Sequence, residues 1–307
     1  MAVLPEIKSA VEEHLKCDEL IGILKKEQRN PLNRDRATVL KRWDEVKVVV
    51  FTELVASVYS LALIVTFLRV QLNILGGYLY VRTMGAAGAE GLPTMSPAIQ
   101  KAYLSQAQYL RTHGVATLID RLRPRINALL AAHPIGESPK FELIDFSKCL
   151  KDAQFAFEQG GAVEGSMFAD FCFAPDAPDE PEPQDGGGSS GGDGSLTLEL
   201  LMNETRDIVD SAPFVDALHA CVKVGFDHVE NNLGVKIFSK TSSPGEKPGV
   251  WPLAKIIPHI HKEAEALFVG HGPKEGPAVQ LLDLKEVEEL SMIVYESFCD
   301  ASPDSSF

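Results

Sequence analysis

The chain has little basic charge for its acidic content: 29 lysines and arginines stand against 43 aspartates and glutamates in 307 residues, a formal net charge of −14. A surface that neutralises nucleic-acid phosphates needs clustered lysine and arginine, so this deficit argues against a sequence-independent nucleic-acid binder. It also disfavours adsorption of the whole domain to an anionic lipid face. Cysteine is scarce and unpatterned. Cys17, Cys149, Cys172, Cys221 and Cys299 are scattered, odd in number and never spaced CxxC, which reads as reduced thiols of the cytosol or a similar compartment rather than a disulfide framework. The opening MAVLPEIKSAVEEHLK lacks the basic stretch and apolar core of a signal peptide.

Catalytic spacing is missing as well. There is no Walker motif, nucleophile elbow, HExxH or calcium-loop pattern. Gly85, Gly88 and Gly91 fall every third residue with no strand before them, which is not the dinucleotide fingerprint. His259 and His261, followed by His271, have no carboxylate or cysteine at ligand spacing and read as a solvated helix end. Glu286, Glu288 and Glu289 read as a solvated helix face. Asn203-Glu204-Thr205 matches the glycosylation pattern but sits in an expected helix of a cytosolic chain, and reads as chance. The expectation is no enzyme, no cofactor, no metal and no small-molecule substrate.

What the chain does have is one dense apolar stretch, TELVASVYSLALIVTFLRVQLNILGGYLY at residues 52–80. Leu54, Val58, Leu61, Val65, Leu68, Leu72, Leu75 and Leu79 recur in steps of four and three, the period of a helix with one apolar seam. Ser57, Ser60, Arg69, Gln71 and Asn73 lie off that seam. Residues 48–68 are about long enough to span a bilayer, for which roughly 20 apolar residues suffice. Glu53 within that span, Lys47 and Arg69 beside it, and the polar residues beyond favour instead the central helix of an all-α protein, wrapped by others.

Helical patterns dominate. Helices are expected near residues 4–15, 17–26, from Asp35 or Thr38 through Trp43 into the apolar stretch, and at 98–112, 115–132, 141–159, 196–210, 213–233, 251–268 and 278–298. Ser96-Pro97 looks like a capped start, and Pro124 and Pro258 predict kinks or breaks. Residues 85–97 read as a loop. Residues 174–195, APDAPDEPEPQDGGGSSGGDGS, cannot bury enough apolar surface to offset their ordering entropy and read as a disordered acidic, Gly/Ser-rich loop. The fold expected is all-α, a single elongated helical bundle over residues 1–307 around the long apolar helix, with that loop inside it.

The segment VLKRWDEVK places Trp43 beside basic residues, with Leu40 and Val46 three residues to either side on one helix face. Such an indole with apolar neighbours and a lysine rim suits a groove for an amphipathic helix. It equally suits a tryptophan that fills the core, and the residues alone leave both open.

The stretch 43–80, with FLRVQLNILGGYLY as its densest part, resembles the signature of the peroxin-3 family, and LLMNETRDIVDS (200–211), PLAKIIP (252–258) and VYESF (294–298) follow as further family motifs in order. The likeness covers nearly the whole chain outside residues 134–137 and 174–195. It implies a non-enzymatic docking receptor on the cytosolic face of the peroxisomal membrane. The family's partner is peroxin-19, a chaperone of membrane proteins, whose N-terminal amphipathic helix enters a hydrophobic groove. By this resemblance Trp43 matches the central groove residue and is expected to be exposed. Leu40, Val46 and Lys47 match groove positions around it, Leu24 and Lys25 match a pair on the preceding helix, and Val58 and Tyr59 would line the floor. Val39 stands where related animal sequences carry lysine, and Lys41 or Arg42 would supply that charge instead. Gly76-Gly77 matches a family pair, and two adjacent glycines let helices approach closely or let the chain turn. Contact with membrane lipid is the further partner the resemblance leaves room for. Family members open with a membrane anchor and a basic segment, whereas Met1-Ala2-Val3 leads straight into the first helix, so this chain is expected to be soluble as given. The rival readings are a structural helical scaffold and an integral membrane protein spanning through residues 48–68.

Overall fold

A computed structural model describes residues 3–28, 36–84, 95–137, 140–159, 167–175, 192–241, 247–269 and 276–299. The chain is all-α. Its helices are α1 (Val3–Leu15), α2 (Cys17–Gln28), α3 (Arg36–Met84), α4 (Pro97–Ser105), α5 (Ala107–Tyr109), α6 (Val115–Leu130), α7 (Leu143–Gln159), α8 (Ala169–Cys172), α9 (Gly192–Val209), α10 (Ala212–Leu233), α11 (Leu253–Ala266), α12 (Pro277–Leu282) and α13 (Lys285–Cys299). Two π-turns, Leu110–Gly114 and Gly234–Phe238, lead into α6 and extend α10. Among the described residues, β structure amounts to an antiparallel pair, β1 (Lys140–Phe141) and β2 (Trp251–Pro252).

Local chemistry accounts for the boundaries. Lys16 adopts φ 51°, the left-handed conformation that ends α1 and redirects the chain into α2. Ser96 caps α4 by accepting from the Ile99 amide at 3.3 Å, with Pro97 following as the sequence predicts. Pro124 and Pro258 lie inside α6 and α11 without ending them. The expected helix at 278–298 is two, α12 and α13. Thr38 lies inside α3, while Asp35, the glycines at 85, 88 and 91, and residues 176–191 of the acidic stretch fall outside the described residues. The last residues of that stretch, 192–195, open α9.

The 49-residue α3 corrects the seam. Every residue from 49 to 67 is buried, whatever its position around the helix, and the polar Ser57, Ser60, Gln71 and Asn73 are buried too. Leu72 and Leu79, both assigned to the seam, are 53% and 38% exposed. A helix surrounded on all sides has no single apolar stripe. Its composition passes the test for a membrane-crossing segment, yet the most apolar window is 100% buried inside the protein. Thr52 and Thr66 return their hydroxyls to the backbone at Val48 and Leu63, which removes their need for other partners.

The chain divides into two compact units. The first takes Met1–Ala62, Arg111–Glu164 and Cys221–Leu281. There α6 packs against α1 and α7. Ile7, Val11 and Leu15 form the buried stripe of α1, and Phe51 meets Phe146 at 5.9 Å.

The second unit takes Leu63–Leu110, Gly165–Ala220 and Leu282–Phe307. In it Gln71 donates to the Tyr103 carbonyl at 2.9 Å, the Tyr103 hydroxyl meets Thr205 at 2.6 Å, and Arg69 reaches Ser291 at 2.7 Å. The close approach expected at the glycine pair is present. A Cβ on Gly76 would stand 2.8 Å from Tyr295 Oη, and one on Gly77 would stand 2.6 Å from Phe298 Cγ. Gly77→Ala should therefore lose about 1–2 kcal/mol in denaturant melts, overpacking being set against the helix propensity alanine adds. An unchanged midpoint would mean that Phe298 swings away freely.

The Tyr78 hydroxyl donates to Glu204 in this unit. Burial pushes the Glu204 carboxyl up, and the Tyr78 bond opposes that shift only in part. A carboxyl whose folded value is raised favours the fold most below its unfolded value of about 4.3, and that contribution is lost as pH rises through the folded value. Glu204→Gln keeps an acceptor for Tyr78 and should remove this loss from melting curves recorded across the mildly acidic range. An identical pH slope in wild type and variant would contradict the assignment.

Candidate functional site

The first turns of α3 are held by the turn that follows α6. Lys47 Nζ donates to the carbonyls of Leu130 and His133 at 3.1 and 2.8 Å and pairs with Asp44 Oδ1 at 2.8 Å. Asp44 Oδ1 also accepts from the Ile135 amide at 3.0 Å. Leu40 lies beside Gly136, where an added Cβ would meet its Cδ1 at 3.4 Å. A lysine thus satisfies carbonyls at the C-terminal end of α6, where a cation is favoured. On the neighbouring face of α3, Lys41, Glu45 and Val48 line a cleft of about 520 Å³ with Asp120, Arg123 and Asn127 of α6.

This arrangement sorts the eight expected groove residues. Trp43 and Val46 are 8% and 3% exposed, so the indole does not stand open as expected. Leu40 is half-buried. On α2, Leu24 is buried and Lys25 exposed, next to Ile23 at 43% exposure. Lys47 is not a rim lysine: it is 2% exposed and fully occupied by the clamp. Val58 and Tyr59 are core residues rather than a floor. Val58 faces Gly225 on α10, and Tyr59 donates to Glu158 at 2.7 Å while its ring meets Phe157 edge-on at 4.9 Å. Trp43 and Tyr59 are sixteen residues apart on α3, about 24 Å along the axis. Exposed Lys41 and Arg42 leave positive charge beside the indole.

Sequence spacing missed a second group in the same unit. His261 is buried, not part of a solvated helix end. Its Nδ1 lies 2.7 Å from Glu53 Oε2 and its Nε2 lies 3.1 Å from Asp18 Oδ1. Burial works against the imidazolium, but the hydrogen bonds to Glu53 and Asp18 and the charges of Glu53 and Glu265 outweigh it and hold the ring up to about 9. Cys17 hydrogen-bonds Glu53, and its thiol is pushed far up by burial and by that carboxylate. The partners come from α2, α3 and α11, more than 200 positions apart in part, so no local pattern announces them. Cys17, Cys149, Cys172 and Cys221 are buried thiols outside any disulfide among the described residues.

Fold and site together define an all-α protein built on one long apolar helix, whose candidate surface is a clamped helix start carrying an indole. The family model described as Peroxin-3 matches residues 5–297. The chain belongs to the Peroxin-3 family. It is 28% identical to mouse peroxisomal biogenesis factor 3 over 316 residues, covering 97% of this chain and 79% of the relative. The human protein of the same name is also 28% identical over 317 residues, with the same coverage. Peroxisome biogenesis protein 3-2 of Arabidopsis thaliana is 25% identical over 263 residues, covering 83% of this chain and 68% of the relative. Family membership carries a role in peroxisome biogenesis.

Proposed function

We propose that this chain is a docking receptor of the peroxisomal membrane, facing the cytosol, that captures the N-terminal amphipathic helix of peroxin-19 at the C-terminal half of α2 and the start of α3. The observation that supports this reading most is the position of Trp43. The indole sits on a helix start fixed by Lys47, Asp44 and Leu40, with exposed cations beside it. Hot-spot tryptophans work from well-packed surroundings, with neighbours that exclude water. Ile23, Leu40 and Trp43 then offer apolar contact over the buried Leu24 and Val46, while Lys25, Lys41 and Arg42 speed encounter with an acidic partner helix. Lys47, Val58 and Tyr59 hold the fold and drop out of the contact set.

Calorimetric titration with a peroxin-19 N-terminal peptide, alongside melting curves, tests the reading. Trp43→Ala should weaken binding by about 2 kcal/mol or more, roughly thirtyfold. Because Trp43 is largely buried, Ile23→Asp serves as a companion: exposed Ile23 should alter binding without moving the melt. Undiminished binding by both variants would remove the α2–α3 site. Raising salt should slow association if the cations steer it, and salt-independent association would leave only the apolar part of the proposal.

A further inference from the structure

The group around His261 has a chemistry that docking does not use. Cys17 Sγ, a Glu53 carboxylate oxygen and a His261 nitrogen all lie within 4.8 Å of one another, and all three residues are buried. They project from three different helices of one unit, α2, α3 and α11. A thiolate, a carboxylate and an imidazole form the mixed soft and hard donor set that suits zinc. Their charges fit too: a divalent cation with one thiolate, one carboxylate and one neutral ring leaves no net charge to bury. Asp18 on Nε2 supplies the outer-shell carboxylate that metal-bound histidines ordinarily have, leaving Nδ1 to face the metal. Glu265 Oε2 stands behind at 3.8 Å from the same Nε2.

We propose that Cys17, Glu53 and His261 form a divalent transition-metal site, for zinc in the first instance, that staples α2 to α3 and α11. Metal–ligand bonds of about 2.0–2.3 Å at a tetrahedral centre set ligand atoms roughly 3.5 Å apart. Glu53 and His261, now 2.7 Å apart, therefore need to part by less than an ångström, and water takes the fourth position. Binding displaces the Cys17 thiol proton and the proton shared between His261 Nδ1 and Glu53, so metal uptake releases protons to buffer. The ion closes a link between segments that are remote in sequence, and binding only the folded chain it raises the melting temperature.

The test loads the purified chain with Zn²⁺ and, separately, with Co²⁺. X-ray absorption of the zinc form should show one sulfur at about 2.3 Å among nitrogen and oxygen ligands. The cobalt form should show a thiolate-to-metal charge-transfer band that is lost in Cys17→Ser and weakened in Glu53→Gln, but retained in His259→Gln. Melting temperature should rise with one equivalent of metal in wild type and in His259→Gln, but not in Cys17→Ser. A zinc shell without sulfur, a charge-transfer band that survives Cys17→Ser, or no uptake of either metal after dialysis would each overturn the site. The absorption measurement uses wild type and does not depend on whether any variant folds.

Discussion

Replacing Gly225 by valine should cost about 3 kcal/mol of stability, the upper end of what overpacking does in a well-filled core. A single Cβ at this position already meets Val58 Cγ1 at 2.8 Å and Cγ2 at 3.5 Å. Val58 is 1% exposed, in the part of α3 that is buried all round. A β-branched side chain in a helix has essentially one rotamer, so Val58 cannot swing aside as a longer residue would. The strain must go into helix displacement, which a close-packed interior resists. Denaturant melts should show the loss as a shifted midpoint with an unchanged slope. Val58→Ala alone should destabilise by leaving a cavity, whereas together the two changes should recover part of the loss, with a coupling of about 1 kcal/mol or more. Simple additivity would mean that Val58 is not held by α10 and would return it to the groove expected from the family resemblance.

Removing the Lys47 amine should be as damaging. Lys47→Ala takes the ammonium from the Leu130 and His133 carbonyls, of which Leu130 keeps only the His133 amide, and strips Asp44 of its cationic partner. Breaking a buried pair costs about 3–5 kcal/mol. Asp44 is 36% exposed and can regain water, so about 3 kcal/mol is expected here. Lys47→Arg should restore little, because a planar fork does not fit three acceptors converging on one ammonium. Asp44→Asn should cost less, since an amide oxygen still accepts from Ile135. If Lys47→Ala melts like wild type yet loses the peptide, the lysine belongs to the rim after all and the clamp is incidental.

The all-α class, the long helix through Trp43 and the capped start at Ser96 were legible because each has a local signature: period, composition, or a capping residue before a proline. The Gly76-Gly77 pair is visible in the sequence, but adjacent glycines suit a turn as well as a close approach, and only Tyr295 and Phe298 decide between them. The seam was not, because burial on every side leaves no phase for a period to report. Tyr59 and Val58 differ from Trp43 only in what faces them, Phe157 and Gly225, which sequence spacing cannot show. Lys47 reads as a surface cation until the carbonyls of α6 come to it. His261 beside His259 looks like a polar helix end, yet one ring is buried against Glu53 and the other exposed. Each of these outcomes depends on residues brought together from far along the chain.

The most direct test of the docking reading is to locate the partner on the molecule. A peroxin-19 N-terminal peptide with a photo-crosslinking residue on its apolar face should label α2 around Ile23 and Leu24 and the start of α3 around Trp43. Labelling should be competed by unmodified peptide and lost in the Ile23→Asp, Trp43→Ala double variant. Saturable labelling confined to other helices, untouched by those substitutions, would contradict the placement of the partner at the clamped start of α3.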